Sequence, residues 1–75
     1  MKAYMFINSM RGQSIALTRA IRAVAGVLSA DAITGDYDIV ASVDVKDLTE
    51  LRTAMAGVQA LDGVLKTTTC MVLSD

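Results

Sequence analysis

The spacing of apolar residues along this chain switches from a period of two to a helical period and back, then repeats the switch, and that pattern restricts the fold more than any other feature. Lys2 to Ser9 reads KAYMFINS, rich in aromatic and β-favouring residues, with Ala3, Met5 and Ile7 on one alternating face and Tyr4 and Phe6 on the other. Two apolar faces predict a central strand covered on both sides. From Ile15 onward Leu17, Ala20, Ile21 and Val24 fall at helical spacing with Thr18, Arg19 and Arg22 between them, which predicts an amphipathic helix. Ser14 is the expected N-cap and Gly26 the expected C-terminal stop. Val27 to Thr34 is a second extended stretch, Gly35-Asp36 follows as a turn, and Asp38 to Val45 alternates strictly, so a hairpin is predicted. Asp47 and Glu50 have capping-box spacing at the head of a second helix whose expected buried stripe is Leu48, Leu51, Met55 and Val58. After Asp62-Gly63 the last strand, Val64 to Leu73, sets Leu65, Thr67, Thr69 and Met71 against Val64, Lys66, Thr68, Cys70 and Val72.

The two halves repeat at an offset of about 36 residues, each a minimal βαβ unit. Right-handed crossovers put both helices on one face of a four-stranded antiparallel sheet, an α+β fold of ferredoxin-like βαββαβ type. The other face has no cover from its own chain. Alternation assigns Ala41, Val43 and Leu65 to one side and Val40, Val64, Cys70 and Val72 to the other, so neither side is a solvated polar surface. Pairing of two such sheets, as in a dimeric α+β barrel, would bury the bare one.

Size supports the same expectation. With 75 residues the chain has room for one domain, residues 1–75, and a core this small supplies roughly 3–5 kcal/mol. Cys70 is the only cysteine and histidine is absent, which removes an internal disulfide, the commonest metal ligand and the usual general base. Association is the staple that remains. Hydrophobic residues at 53% and charged residues at 20% lie above and below the usual values, so apolar surface should stay exposed on one copy. No apolar run approaches the ~20 residues of a membrane helix, and the start MKAYMFINSM lacks a cleavage-site pattern, which predicts a cytoplasmic protein without membrane contact. Net charge is −1 and the seven basic residues are scattered, so direct nucleic-acid binding is not expected.

Catalysis needs a nucleophile, a base or a metal, and none of the candidates has a supporting motif. Cys70 lies mid-strand, where a free cysteine is usually a small apolar residue. Arg11-Gly12-Gln13 is too sparse for a phosphate loop. Thr67-Thr68-Thr69 is ordinary strand composition whose alternate hydroxyls share a face. The dense spot is Ile33-Thr34-Gly35-Asp36-Tyr37-Asp38. Its plain reading is turn chemistry; its functional reading is that amides at Gly35 hold a carboxylate while Asp36 or Asp38 accepts from an ammonium, the two ends of an amino acid.

V-L-S-A-D-A-I-T-G-D-Y-D-I-V-A-S-V-D-V followed by L-D-G-V-L-K-T-T-T-C-M-V-L resembles the effector-binding (RAM) domain of Lrp/AsnC transcription regulators, in matching order over nearly the whole chain. The resemblance implies a homodimer with facing sheets, assembly of dimers into rings, commonly octamers, and amino-acid effectors bound in clefts between dimers, with no cofactor. It carries Gly35, Asp36, Tyr37 and Asp38 onto the ligand cleft, with Thr67 and Thr69 as neighbours. The larger members of that family bear an N-terminal helix-turn-helix; this chain starts at the sensor's first strand, so the expected form is a stand-alone module acting on transcription indirectly, through full-length Lrp/AsnC regulators. The competing expectation is a small dimeric α+β barrel enzyme of cofactor-free oxygenase or isomerase type, and a third is an oligomerisation module without ligand.

Overall fold

Lys2–Ser9 forms β1, and the computed structural model, which describes residues 1–74, sets it inside the sheet, with one apolar face under the helices and the other, expected to be covered as well, on the open side. Helix α1 (Ser14–Arg22), β2 (Val27–Ala32), β3 (Ile39–Asp44), α2 (Leu48–Gln59) and β4 (Val64–Met71) complete a βαββαβ chain with sheet order β2-β3-β1-β4, all neighbours antiparallel. No helix among the described residues is long and apolar enough to cross a membrane.

The core lies between the sheet and the helices. Ala3, Met5 and Ile7 of β1 oppose Val43, Ala41 and Ile39 of β3, and all six are fully buried with Ala30, Ile21 and Val58. Helix α2 begins as its sequence dictates: the Asp47 carboxylate accepts from the Glu50 amide at 2.9 Å, and Glu50 reaches back to the Lys46 amide at 2.8 Å. Its buried residues are Leu51, Ala54 and Val58, while Leu48 at the first turn stays about half exposed. Helix α1 departs further from expectation. Ser14 is its first residue rather than its cap, the capping position falls to Gln13 with no side-chain bond, and Arg22 is its last residue. Thr18 is buried instead of Ile15, because its hydroxyl is satisfied by the Ile15 carbonyl at 2.6 Å; Ile15 is 72% exposed.

The two halves share a device that period-two alternation does not reveal. Each crossover returns to the sheet through Gly-Val-Leu, at 26–28 and at 63–65, with both glycines at φ +94. In each, the valine packs on the core and the leucine is the extra residue of a β-bulge: Val27 pairs with Val43 but Ser29 with Ser42, and Val64 pairs with Ser9 but Lys66 with Asn8. The second bulge corrects the expected facing at the β4 edge. Val64 turns to the helices, and Leu65 joins Lys66, Thr68 and Cys70 on the open side, 67% exposed, as Leu28 is at 64%. The open face therefore presents Tyr4, Phe6 and Val40 at its middle and a leucine at each edge, interspersed with Ser29, Asp31, Ser42 and Thr68. It is mixed in character, with its apolar residues grouped along β1 and β3.

Candidate functional site

The segment between β2 and β3 is held by one residue. Asp38 donates its amide to the Ile7 carbonyl at 3.0 Å, and its own carbonyl accepts from the Ile33 amide at 2.8 Å, which closes the hairpin. Its carboxylate Oδ2 accepts from the Ser9 amide at 2.8 Å and lies 3.4 Å from the Ser9 hydroxyl. A backbone amide at the end of β1 that would otherwise lack a ladder partner is thus satisfied by a charge-assisted bond. Tyr37 is anchored separately: its ring lies 5.2 Å from that of Phe6, tilted by 42°, on the open face of β1.

With both ends tied, the tip stands out. Gly35 has φ +108, and no described residue other than its chain neighbours comes within 4 Å of where a β-carbon would sit. Gly35 and Asp36 are exposed, Tyr37 and Asp38 half-buried. Four of the six expected site residues are therefore contiguous, but they divide the work. Asp38 is occupied in holding the hairpin, whereas Gly35 and Asp36 offer backbone and a carboxylate to whatever approaches.

Thr67 and Thr69 lie elsewhere within a single copy. Their register partners are Ile7 and Met5, so they face the helices, on the opposite side of the sheet from the Phe6–Tyr37 pair. The Thr67 hydroxyl accepts from Gln59 Nε2 on α2 at 2.9 Å, and the Thr69 hydroxyl is buried with no hydrogen-bond partner among the described residues. Gln59 is the residue that sequence reasoning missed; its place in the last turn of α2, opposite a strand threonine, was the available signal. Cys70 is exposed on the open side, opposite Tyr4, in place of the small buried residue its strand position suggested.

The concave regions lie at the other end of the sheet. One cleft of about 330 Å³ is lined by Ala25, Gly26, Val45, Glu50 and Thr53, and another of about 520 Å³ by Met1, Lys2, Tyr4, Val72 and Ser74. Among the described residues no group of three His, Cys, Asp or Glu side chains could hold a metal ion. What the hairpin offers chemically is hydrogen bonding and negative charge on a convex tip.

Known proteins bear on this arrangement. The model of the Lrp/AsnC ligand binding domain matches residues 2–75. The Thermus thermophilus protein TTHA0845 superposes with a TM-score of 0.89 at 32% identity, over 99% of this chain and 94% of that one. Escherichia coli AsnC superposes with a TM-score of 0.89 at 20% identity, over 99% of this chain and 51% of its own. A transcriptional regulator of Neisseria meningitidis in complex with L-methionine gives 0.80 at 18%, over 99% of this chain and 50% of its own. The last two likenesses are of fold. Among curated proteins, the homocitrate synthase of Sulfolobus acidocaldarius is 40% identical over 57 residues, 76% of this chain. The chain spans only about an eighth of that enzyme's length, 12%.

Proposed function

This chain belongs to the Lrp/AsnC ligand-binding domain family, and from that premise we propose that it is an amino-acid-responsive binding and assembly module that modulates transcription indirectly. The family assignment makes it a regulatory ligand-binding module; the ligand class and the assembly are the further reading. The observation that carries it is the division of labour in the hairpin, where Asp38 is spent on Ser9 and Ile7 while Gly35 and Asp36 are left open at a tip with no side chain over the backbone. An open glycine backbone suits a carboxylate and a free aspartate suits an ammonium group, the two charges an amino acid always carries.

A convex tip binds a small ligand weakly, since affinity comes from concave sites that bury most of the ligand. A second surface must therefore close over it. Two copies joined through their open sheet faces, with dimers assembled into a ring, would bring such surfaces together, and the exposed Leu28, Leu65 and Tyr4 are apolar area for the first of these contacts. Thr67 and Thr69, turned away from the hairpin within one copy, would join the cleft only across copies or through movement of Gln59.

The same domain makes up about half of the regulators it resembles and about an eighth of the homocitrate synthases. That distribution favours a sensor whose output belongs to whatever it is joined to or associates with, full-length Lrp/AsnC regulators being the expected partners in the cytoplasm. Calorimetric titration of the purified protein with each free amino acid, with parallel sedimentation, tests the reading. Binding of at least one, abolished by Asp36→Asn, is expected; no heat and no change of mass with any of them would overturn it.

A further inference from the structure

The turn that leads from α1 into β2 is kept bare by its backbone. Gly26 has φ +94, and a β-carbon on it would stand 2.8 Å from Val45 Cγ1 and 3.7 Å from the Ala54 β-carbon, so no side chain fits there. Its neighbour Ala25 contributes only a methyl group. Across from this turn runs one face of α2, on which Glu50, Thr53 and Gly57 follow at i, i+3 and i+7. The two walls touch at the Gly57 end, where a β-carbon would come within 3.0 Å of Val24 Cγ1. Toward the start of α2 the small residues leave a gap, the cleft of about 330 Å³ lined by Ala25, Gly26, Val45, Glu50 and Thr53.

Both polar side chains of this cleft are acceptors with capacity to spare. Glu50 Oε1 accepts from the Lys46 amide at 2.8 Å, which leaves the second carboxylate oxygen without a partner, and no cation comes within ion-pair distance of it among the described residues. The Thr53 hydroxyl donates to the Thr49 carbonyl at 3.1 Å, so toward a ligand it can only accept. The rest of the lining is apolar. A negative charge and a hydroxyl lone pair beside an apolar hollow recognise a cation carried on a hydrocarbon body. A carboxylate on the ligand would be repelled by Glu50, so an amino acid is a poorer fit than the same skeleton without its acid group. The volume sets the size, since sites for drug-sized molecules span roughly 300–1,000 Å³ and this cleft falls at the small end.

We propose that the cleft between the α1–β2 turn and α2 binds small primary amines, with the ammonium on Glu50 and Thr53 and the hydrocarbon body against Val45, Ala25 and Gly26. It lies at the opposite end of β2 from the hairpin tip and is built from a single copy. It therefore depends on neither amino-acid binding at the hairpin nor assembly.

Amide NMR of the labelled protein at neutral pH tests the site, with hexylamine and phenethylamine as probes and hexanol and phenethyl alcohol as their uncharged counterparts. The amines are protonated there, as the lysine amine with its pKa of about 10.4 is. They should shift the amides of Ala25, Gly26 and Thr53, leave that of Gly35 in place, and bind about tenfold more tightly than the alcohols, the margin of a charge-assisted over a neutral hydrogen bond. Glu50→Gln keeps an oxygen for the Lys46 amide and so preserves the cap; it should erase the preference for amine over alcohol with the melting curve little changed. Thr53→Leu, at an exposed position, should fill the cleft and abolish binding of both. Amines that move no amide of the cleft, alcohols bound as tightly as amines, or a preference that survives Glu50→Gln would overturn the proposal, and amino-acid binding at the hairpin would still stand or fall on its own titration.

Discussion

Asp38 matters to this molecule more through what it holds than through what it could offer a ligand. A carboxylate accepting from an otherwise unpaired amide contributes about 1.5–3 kcal/mol, and for a domain of this size each kcal/mol moves the melting temperature by about 4–8 °C. Asp38→Ala should lower the midpoint accordingly, and Asp38→Asn should recover part of the loss, because the amide oxygen still accepts from Ser9. Asp36→Asn, at an exposed position, should leave the melting curve in place and act only on ligand binding. Equal melting of Asp38→Ala and the parent would show that the latch is idle. Thr69 makes the opposite prediction. Its buried hydroxyl has no partner among the described residues, so Thr69→Val removes an unsatisfied group at nearly constant volume and should be neutral or stabilising by about 1 kcal/mol. If the same variant loses amino-acid affinity in calorimetry, the hydroxyl is held in reserve for a ligand reached across copies.

At the scale of elements, the return of each crossover through Gly-Val-Leu decides which residues meet the core. A β-carbon at Gly26 would stand 2.8 Å from Val45 Cγ1 in a backbone conformation that side chains rarely adopt. At Gly35 the conformation is equally unusual but the space is empty. Denaturant unfolding should therefore find Gly26→Ala destabilised by about 2–4 kcal/mol, strain and crowding together, and Gly35→Ala by only about 1–2 kcal/mol, from strain alone. A Gly35→Ala as damaging as Gly26→Ala would mean that the hairpin tip is packed in the assembled protein. The element order, the βαβ repeat and the capping box of α2 were legible because each is local: hydrophobic period, turn residues, and an Asp and a Glu three apart. The bulges were not, since an extra residue in one strand is defined only by the strand it pairs with, and alternation carried one place too far put Val64 on the open side and Leu65 in the core.

For the whole molecule, the question is where the apolar surface of the open face goes. Leu28 and Leu65 are about two-thirds exposed at its two edges, and a leucine side chain taken fully out of water is worth about 1.5–3 kcal/mol. Leu28→Ser with Leu65→Ser removes no residue of the buried core, so the melting of the dilute protein should be little changed. If the proposed dimer forms through this face, its dissociation constant, read by sedimentation equilibrium, should rise by about a hundredfold or more, at 1.4 kcal/mol for each factor of ten. An unaltered constant would place the dimer contact off this face.

Of the candidate site, the sequence by itself determined the hairpin and the residue types at its tip, because glycine at a turn and aspartates beside it are demands of local backbone geometry and charge. Tertiary structure alone decided that Asp38 is engaged by Ser9 and that Thr67 and Thr69 look away from the hairpin. Those are relations between strands and helices distant in sequence, set by register and by the packing of the core, and no local pattern encodes them.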